Sequence, residues 1–431
     1  MSTSAIAILL LVGGFIALII LRVPIPIALV ASTAVTMIYL DLPLMTMVQQ
    51  MAKSINSFSL MAVPFFILAG EIMGAGGISD KIVDFANAIV GRFRGGLACV
   101  NCLDSMFFGG ISGSAVADVS SLGSIVIPTM VKSGYGRDFS IALTVTTSCQ
   151  GVLIPPSHNM IFFALAAGGV SVGKLFLGGA IPGILLGFAL MAYSLFISVK
   201  RNYPKGEAMG LKQILLVTKD AIIALFTAII IMGGVTLGWF TATESAAIAC
   251  IYAFLISMFV YKKLKWKDIP RILGNVVNTL CLSFSLIAAA GAFGYVLAFL
   301  KVPALLTNFL LSITDNRIIL LLLINLMLLC LGCIMDMAPI IFIVTPILLP
   351  VVTALGMDPV HFGVMMIFNL AIGLCTPPVG SALFVGCAVG KSSIERVTKE
   401  LLPMYAVMIT CLLIVTFVPA LSTWLPNLIM K

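Results

Sequence analysis

The stretch Gly151-Val-Leu-Ile-Pro-Pro-Ser-His-Asn159 interrupts an apolar segment that runs from about residue 139 to about residue 165. A Pro-Pro pair cannot continue a regular helix, because each ring removes a backbone N–H donor and clashes with the preceding turn. In hydrocarbon, backbone groups freed in this way must be buried in protein or line a wet cavity. The stretch therefore predicts a membrane helix that is broken near its middle.

The same arrangement returns in Gly373-Leu-Cys-Thr-Pro-Pro-Val-Gly-Ser381. Two broken helices at corresponding places in the two halves of a membrane protein are typical of a secondary transporter, whose binding site lies at the breaks. These two stretches, which we call the first and second breaks, therefore predict where a ligand binds.

Composition and charge agree with a membrane location. Of 431 residues, 61% are hydrophobic and 9% are charged, whereas soluble domains are about 25% charged. The net charge of +8 does not indicate nucleic-acid binding, because most Lys and Arg fall in short segments between apolar runs, as the positive-inside rule predicts for cytoplasmic loops. These segments are residue 22 and residues 81–94, 132–137, 200–219, 262–271 and 391–399. Both termini are then predicted to be periplasmic.

The apolar runs predict an all-α polytopic membrane protein with about ten spans. The spans are residues 5–21, 25–40, 60–75, 139–167 (broken), 175–199, 221–240, 245–261, 276–300, 361–389 (broken) and 405–421. The first is expected to be a retained span, since no basic region precedes it. Residues 78–90 and 302–313 are predicted to be interfacial arms.

Two further apolar blocks predict re-entrant helical hairpins. Residues 96–131 and 320–352 are interrupted by small residues near their middles. Two full spans need about 40 apolar residues, and each arm here has only about 14 to 17. A hairpin that enters and leaves on one side therefore fits these lengths better than two spans.

Landmarks of the two halves coincide at an offset of 222 positions. The coinciding pairs are Ile125 with Ile347, Pro128 with Pro350, Gly134 with Gly356, Gly151 with Gly373, Pro155 with Pro377, Pro156 with Pro378 and Phe162 with Phe384. The charge pattern starts the halves on opposite sides of the membrane, which predicts an inverted-topology repeat. Residues 1–199 and 221–431 form the predicted repeats, and residues 200–220 form a cytoplasmic linker.

Hairpin tips and helix breaks bring half-helix ends together. Free N–H groups suit an anionic substrate, and unwound carbonyls with hydroxyls suit Na⁺. The predicted sodium ligands are Ser112, Gly113, Ser114, Gly151, Val152, Pro155, Gly332, Gly373, Cys375, Thr376 and Pro378. The predicted substrate contacts are Asp118, Ser157, Asn159, Asp336, Asn369 and Ser381. Close helix packing is the alternative for the small residues.

Several polar residues leave alternatives open. Asp118 and Asp336 follow the hairpin tips, where capping is as well supported as ligand binding. Glu244 is expected to cap a helix, and His158 to be hydrogen-bonded rather than to carry protons. The Cys-x-x-Cys pairs at 99–102 and 330–333 lie on predicted membrane helices without a nearby His, so packing is expected and no transition metal or other cofactor is predicted.

The chain resembles the large membrane subunit of TRAP (tripartite ATP-independent periplasmic) transporters over essentially its whole length. The resemblance is carried by Gly110-Ile-Ser-Gly-Ser-Ala-Val-Ala-Asp118, Ile127-Pro-Thr-Met130, Gly134-Tyr135, Ile154-Pro-Pro-Ser157, Pro182-Gly183, Thr345-Pro-Ile-Leu-Leu-Pro350, Gly356-Met-Asp-Pro-Val-His-Phe-Gly363 and Gly373-Leu-Cys-Thr-Pro-Pro-Val-Gly380. It implies a Na⁺-coupled importer of organic acids in the bacterial inner membrane, working by an elevator motion. It also implies a small four-helix membrane subunit and a periplasmic substrate-binding protein as partners.

The family includes sialic acid and C4-dicarboxylate carriers, and the motifs do not choose between them, although a sugar acid such as sialic acid is slightly favoured. The alternative is a stand-alone Na⁺-coupled di- or tricarboxylate carrier. A channel and a membrane-embedded enzyme are less well supported, since two hairpins argue against the first and no catalytic constellation is visible for the second. In an elevator, spans one, two, seven and eight are expected to form the scaffold.

Overall fold

Every regular element in the described part of the chain is helical. The computed structural model describes residues 3–206, 209–313 and 316–430, where one isolated bridge between Arg94 and Lys205 is the exception. The first helices are α1 (Thr3–Ile8), α2 (Gly14–Ile20), α3 (Ile25–Tyr39), α4 (Leu44–Ile55), α5 (Ala62–Ala75), α6 (Ile78–Val90), α7 (Gly96–Ser112), α8 (Ala115–Lys132), α9 (Arg137–Thr147), α10 (Gln150–Leu153), α11 (His158–Ala166) and α12 (Val172–Lys200).

The second half follows in the same manner. Its helices are α13 (Leu211–Thr236), α14 (Ala242–Leu255), α15 (Ile269–Phe299), α16 (Val302–Ile313), α17 (Arg317–Ile334), α18 (Met337–Ala354), α19 (Pro359–Leu374), α20 (Ser381–Gly390), α21 (Ile394–Phe417) and α22 (Ala420–Ile429). A π-helical turn, Leu9–Gly13, joins α1 to α2, and another, Ile256–Val260, extends α14.

Nine helices among the described residues are long and apolar enough to cross a membrane, or ten if the bent pair α5 and α6 is one span. This confirms the predicted polytopic all-α protein of about ten spans. The helices that reach spanning length are not all the predicted spans. Helices α8, α17 and α18, which the sequence assigned to hairpins, reach this length, whereas α3 and α19 are shorter.

The predicted linker, residues 200–220, is partly helical in the structure. Residues 207 and 208 lie outside the described ranges, and α13 already begins at Leu211 rather than near residue 221. No proline or glycine follows Gly210 until Gly233, so the basic residues Lys212 and Lys219 continue the helix.

The first break separates α10 from α11, and the second break separates α19 from α20, whereas residues 148 and 149 lie between α9 and α10. The peptide bonds Pro155–Pro156 and Pro377–Pro378 are cis. In each half a hairpin helix packs on the broken helix through glycines. A Cβ added at Gly109 would lie 2.8 Å from the Gly151 Cα, and one added at Gly373 would lie 2.7 Å from the Gly332 Cα. These backbones therefore touch, as small residues permit.

The helices pack into two groups. The first group consists of α1 to α5 with α13, α14 and α15. The second group consists of α7 to α12 with α17 to α22, and α6 and α16 pack against both groups. The four spans expected to form a scaffold, which correspond to α1–α2, α3, α13 and α14, all lie in the first group.

Candidate functional site

A cavity of about 780 Å³ lies between the two groups. Its walls include the α7–α8 tip, the beginning of α11 and the beginning of α18 on one side, and α5 and α15 on the other. The polar and charged side chains that line it belong to Glu71, Ser112, Ser114, Ser120, Ser121, His158, Asn159, Arg271, Asn275, Thr279, Ser283 and Asp336. Both halves of the chain therefore contribute to one shared cavity.

The α7–α8 tip fits closely against the first break. Gly113 ends α7 with a left-handed backbone, φ +63°, and a Cβ there would lie 2.6 Å from the Pro156 carbonyl oxygen. A Cβ at Gly110 would lie 3.4 Å from the carbonyl oxygen of Pro155. The carbonyls of both prolines thus face the tip, where Ser112 and Ser114 are the predicted hydroxyl ligands.

Asp118 lies behind the tip rather than on the cavity wall. The Ser112 hydroxyl donates a hydrogen bond to the Asp118 carboxylate, which is buried. A Cβ at Gly151 would come within 2.3 Å of the other Asp118 oxygen. The capping role considered for Asp118 is filled by Ser114, whose hydroxyl accepts from the Ala117 N–H at 3.4 Å. The structure therefore brings Asp118 together with the predicted sodium ligands.

Asp336 occupies the cap position of α18 and lines the cavity. Its carboxylate makes no side-chain capping hydrogen bond, and the Ser381 hydroxyl faces it from the second break. At the offset of 222 positions, Asp336 corresponds to Ser114 and not to Asp118. The two hairpin-tip carboxylates are thus not equivalent: Asp336 is available to a ligand in the cavity, and Asp118 is enclosed.

The second break is held by contacts that the sequence did not predict. The Tyr405 hydroxyl donates to the Cys375 carbonyl at 2.6 Å, and the Val379 N–H donates to the Cys333 carbonyl at 3.2 Å. The Thr376 hydroxyl donates its proton to the Ile372 carbonyl of α19 at 2.7 Å, which leaves the lone pairs of the oxygen available. Pro378 lies in the turn that follows α19, and Gly373, near the end of α19, packs against Gly332.

Thiols from the two halves meet beside the breaks. The Sγ atoms of Cys149 and Cys375 are 3.1 Å apart. The Cys149 thiol donates to the Ala371 carbonyl, and the Cys375 thiol donates to the Val145 carbonyl, each at 3.1 Å. This reciprocal contact joins α9 and α10 to α19 in the interior of the second group.

Of the other predicted substrate contacts, the cavity receives Asn159 only. Ser157 lies fully buried beneath it, and its hydroxyl finds no hydrogen-bond partner among the described residues. Asn369 is turned into the protein, where its amide donates to the backbone and side-chain oxygens of Asn325 at 2.9 and 3.0 Å. Asn369 therefore ties α19 to α17.

A similar polar contact holds the first half together. Asn101 on α7 donates to the Thr144 hydroxyl at 2.7 Å and accepts from the Thr147 hydroxyl at 3.1 Å. Thr147 corresponds to Asn369 at the offset of 222 positions. In both halves an asparagine of the first hairpin helix is thus bonded to the matching position of the broken helix.

Three further acidic residues lie in different environments. Glu244 forms a capping box with Thr241, as expected. Glu71 lines the cavity and accepts from the Asn275 amide at 3.1 Å. Asp104 is completely buried on α7, and neither of its oxygens has a hydrogen-bond partner among the described residues.

Four polar residues on α15 were missed because this helix reads as an apolar span. They are Arg271, Asn275, Thr279 and Ser283, and all line the cavity. Their spacing of four residues was the available signal, since it places them on one helix face. No group of three or more His, Cys, Asp or Glu side chains that could hold a metal ion occurs in residues 3–206, 209–313 and 316–430.

Interrupted helices from both halves, packed around a cavity between two helix groups, define a polytopic membrane transporter. A solved structure supports this fold: the YdaH transporter of Alcanivorax borkumensis superposes with a TM-score of 0.62 over 85% of this chain and 86% of that one, at 14% identity. The sequence profile of the tripartite ATP-independent periplasmic transporter DctM component matches residues 12–421. The chain belongs to this family, which confirms the resemblance and makes it a transporter permease rather than an enzyme.

Several relatives at about 40% identity match most of this chain. The uncharacterized protein YgiK of Salmonella typhimurium is 41% identical over 98% of this chain and 97% of its own. The isethionate TRAP transporter permease protein DctMQ of Oleidesulfovibrio alaskensis is 41% identical over 95% of this chain, which spans 65% of that longer protein. The sialic acid TRAP transporter large permease protein SiaM of Vibrio cholerae is 40% identical over 88% of this chain and 89% of its own.

Proposed function

We propose that the protein is the large permease subunit of a Na⁺-coupled importer of organic acids in the bacterial inner membrane. The observation that carries the proposal is the shared cavity, which the α7–α8 tip, the beginning of α11 and the cap position of α18 all enter. Family membership supports the transporter class. The predicted topology places both termini in the periplasm.

Sodium binding is proposed at the tips and breaks. In the first half the ligands are the hydroxyls of Ser112 and Ser114 with carbonyls of Gly113, Gly151, Val152 and Pro155. In the second half they are backbone groups of Gly332, Gly373, Cys375, Thr376 and Pro378. The enclosed Asp118 supports the first site, since a buried carboxylate is stabilised by a nearby cation.

Substrate binding is proposed on the cavity side of the same elements. Asn159 and Asp336 reach the cavity directly, and Ser157 and Ser381 lie next to them. Helix N-termini at α11 and α18 present free N–H groups that favour an anion. Relatives named for isethionate and sialic acid support an organic acid, and we propose a sialic acid or C4-dicarboxylate type.

An inverted repeat with an elevator motion is proposed for the transport cycle. Support comes from the matched contacts of the halves, namely Gly109 on Gly151 with Gly332 on Gly373, and Asn101 on Thr147 with Asn325 on Asn369. The second helix group would move with the site, and the first group would remain as a scaffold.

Two partners are proposed, a small four-helix membrane subunit and a periplasmic substrate-binding protein. The family is described as tripartite, and this chain spans only part of DctMQ, which leaves room there for a further component. The decisive experiment is uptake of labelled sialic acid and of succinate into proteoliposomes under an inward Na⁺ gradient, with and without both partners. Na⁺-dependent uptake that needs all three components is expected. Uptake by this chain alone would instead establish the stand-alone carrier.

A further inference from the structure

The wall of the cavity opposite the tips carries a polar stripe on α15, formed by Arg271, Asn275, Thr279 and Ser283. Residues four positions apart share one helix face. Twelve residues at 1.5 Å each give the stripe a length of about 18 Å. It therefore extends along the cavity rather than marking a single point.

Three members of the stripe, Asn275, Thr279 and Ser283, already form hydrogen bonds with nearby residues. The Ser283 hydroxyl donates to the Thr279 carbonyl and the Thr279 hydroxyl to the Asn275 carbonyl, each at 3.0 Å. The Asn275 amide donates to Glu71 across the cavity wall at 3.1 Å. The Glu71 carboxylate is thus partly satisfied by Asn275.

Arg271 differs from the other three. The ion pairs among the described residues are Lys81–Asp220 and Arg201–Glu400, so the Arg271 guanidinium is in neither. It is exposed to the cavity and carries five N–H donors in a planar fork. Such a fork binds a carboxylate or sulfonate through two parallel hydrogen bonds.

The position of Arg271 indicates on which side of the membrane it would meet an anion. It is the last residue of the basic segment 262–271, which the charge pattern assigns to the cytoplasmic side, and the tips with Ser114 and Asp336 line the same cavity. An anion that leaves the tips toward the cytoplasm passes along α15 and reaches Arg271.

We propose that Arg271, assisted by Asn275, forms a second anion-binding site on the release path, which takes the acidic group of the departing substrate. The proposal rests on the proposed function for its direction of transport. The site is weaker than the central one, because its single cation is exposed to water and shares the cavity with the Glu71 carboxylate. It shortens the stay of the substrate at the tips and raises its concentration near the exit.

A transport measurement tests the site in the reconstituted three-component system. Labelled sialic acid or succinate is placed inside the proteoliposomes, and its exchange is measured as a function of its internal concentration. The internal concentration that gives half-maximal exchange is compared between the wild type and Arg271→Gln. We expect this concentration to rise about five- to tenfold, as for the loss of one hydrogen bond at a water-exposed site, while the external half-saturation stays unchanged. Arg271→Lys should recover part of the loss.

The matched control is Lys267→Gln, which removes a cation from the same segment outside the cavity lining. An equal rise in Lys267→Gln would mean that general surface charge attracts the anion, and this would overturn the proposal. An unchanged internal half-saturation in Arg271→Gln would overturn it too. If the wild type carried neither label, the proposed substrate class would fail, and the site would be judged by the following labelling measurement.

That measurement needs no transported substrate. Thr279→Cys places a thiol farther along the stripe, and its rates of modification by an anionic and by a neutral methanethiosulfonate are compared in detergent, with the parent protein as background. We expect Arg271→Gln to lower the anionic-to-neutral rate ratio severalfold and Lys267→Gln to leave it unchanged. A ratio that does not respond to Arg271→Gln would show that this guanidinium does not attract anions into the cavity.

Discussion

At Gly113 the chain reverses from α7 into α8 with a left-handed backbone, and the Pro156 carbonyl occupies the space that a side chain would need. Gly134 also has a positive φ, of +90°, but nothing lies within 4 Å of a Cβ there. Substitution of Gly134 therefore measures backbone strain alone, whereas substitution of Gly113 adds a steric clash.

We expect Gly134→Ala to destabilise the protein by about 1 kcal/mol, the usual cost of a left-handed alanine. Gly113→Ala should cost clearly more and abolish Na⁺-dependent uptake, because the tip must move away from the first break. Thermal stability of the purified protein in detergent and uptake measure the two effects. Equal effects of both substitutions would contradict the close fit of the tip.

Ser112 is predicted to matter through its oxygen. Ser112→Ala removes both a proposed sodium ligand and the hydrogen bond to Asp118. We expect the Na⁺ concentration for half-maximal uptake to rise about fivefold, which corresponds to about 1 kcal/mol. Ser124→Ala on the same hairpin is the control, because its hydroxyl is exposed and bonded to its own helix. Unchanged Na⁺ activation in Ser112→Ala would argue against the first sodium site.

Individual residues were predictable from the sequence where covalent chemistry decides. The proline pairs 155–156 and 377–378 had to interrupt their helices, and Glu244 follows Thr241 at the spacing of a capping box. The partnership of Asp118 with Ser112 and the bond from Tyr405 to Cys375 depend on tertiary packing, which no local pattern contains. For the same reason Asn369, adjacent to the second break in sequence, turned out to face Asn325.

At the scale of elements, the contact of α7 with the first broken helix depends on the absence of side chains at Gly109 and Gly151. Gly294 on α15 is also helical, but a Cβ there would meet nothing within 4 Å. The same substitution should thus have opposite consequences in the two helices.

We predict that Gly109→Ala lowers thermal stability and uptake, because the added methyl group would push α7 away from Gly151. Gly294→Ala should be neutral or stabilising, since alanine favours a helix by about 1 kcal/mol over glycine. The midpoint of heat-induced loss of monodisperse protein gives the comparison. If both variants behaved alike, the close backbone contact would not limit the packing of α7.

For the molecule as a whole, the proposed motion can be tested at a contact between the two groups. A Cβ at Gly74 on α5 would lie 3.4 Å from the Ser121 hydroxyl on α8. Gly74→Cys combined with Ser121→Cys should form a disulfide, since the Cβ added at residue 74 would lie close to the Ser121 oxygen, whose place the second thiol would take. We expect oxidation to stop uptake and reduction to restore it, because the second group could no longer move along the first.

The control lies within the first group, where a Cβ at Gly14 on α2 would be 3.8 Å from the Ser32 Cβ on α3. Oxidation of Gly14→Cys with Ser32→Cys should leave uptake intact. Continued uptake in fully cross-linked Gly74→Cys/Ser121→Cys protein would contradict the elevator proposal. The sequence led to the expectation that four spans form a scaffold, but it could not predict this contact, because neither Gly74 nor Ser121 belongs to a recognisable motif.

The reciprocal thiol contact of Cys149 and Cys375 bears on how the protein is made. Each thiol is bonded to a carbonyl of the opposite half, Ala371 for one and Val145 for the other. When the ribosome has finished α9 and α10, more than two hundred further residues must be synthesised before their partners emerge. Until then these helices face lipid or other proteins instead of α19. We therefore expect a chain stopped at residue 199 to lack these contacts, and to gain them when residues 200–431 are supplied as a second polypeptide.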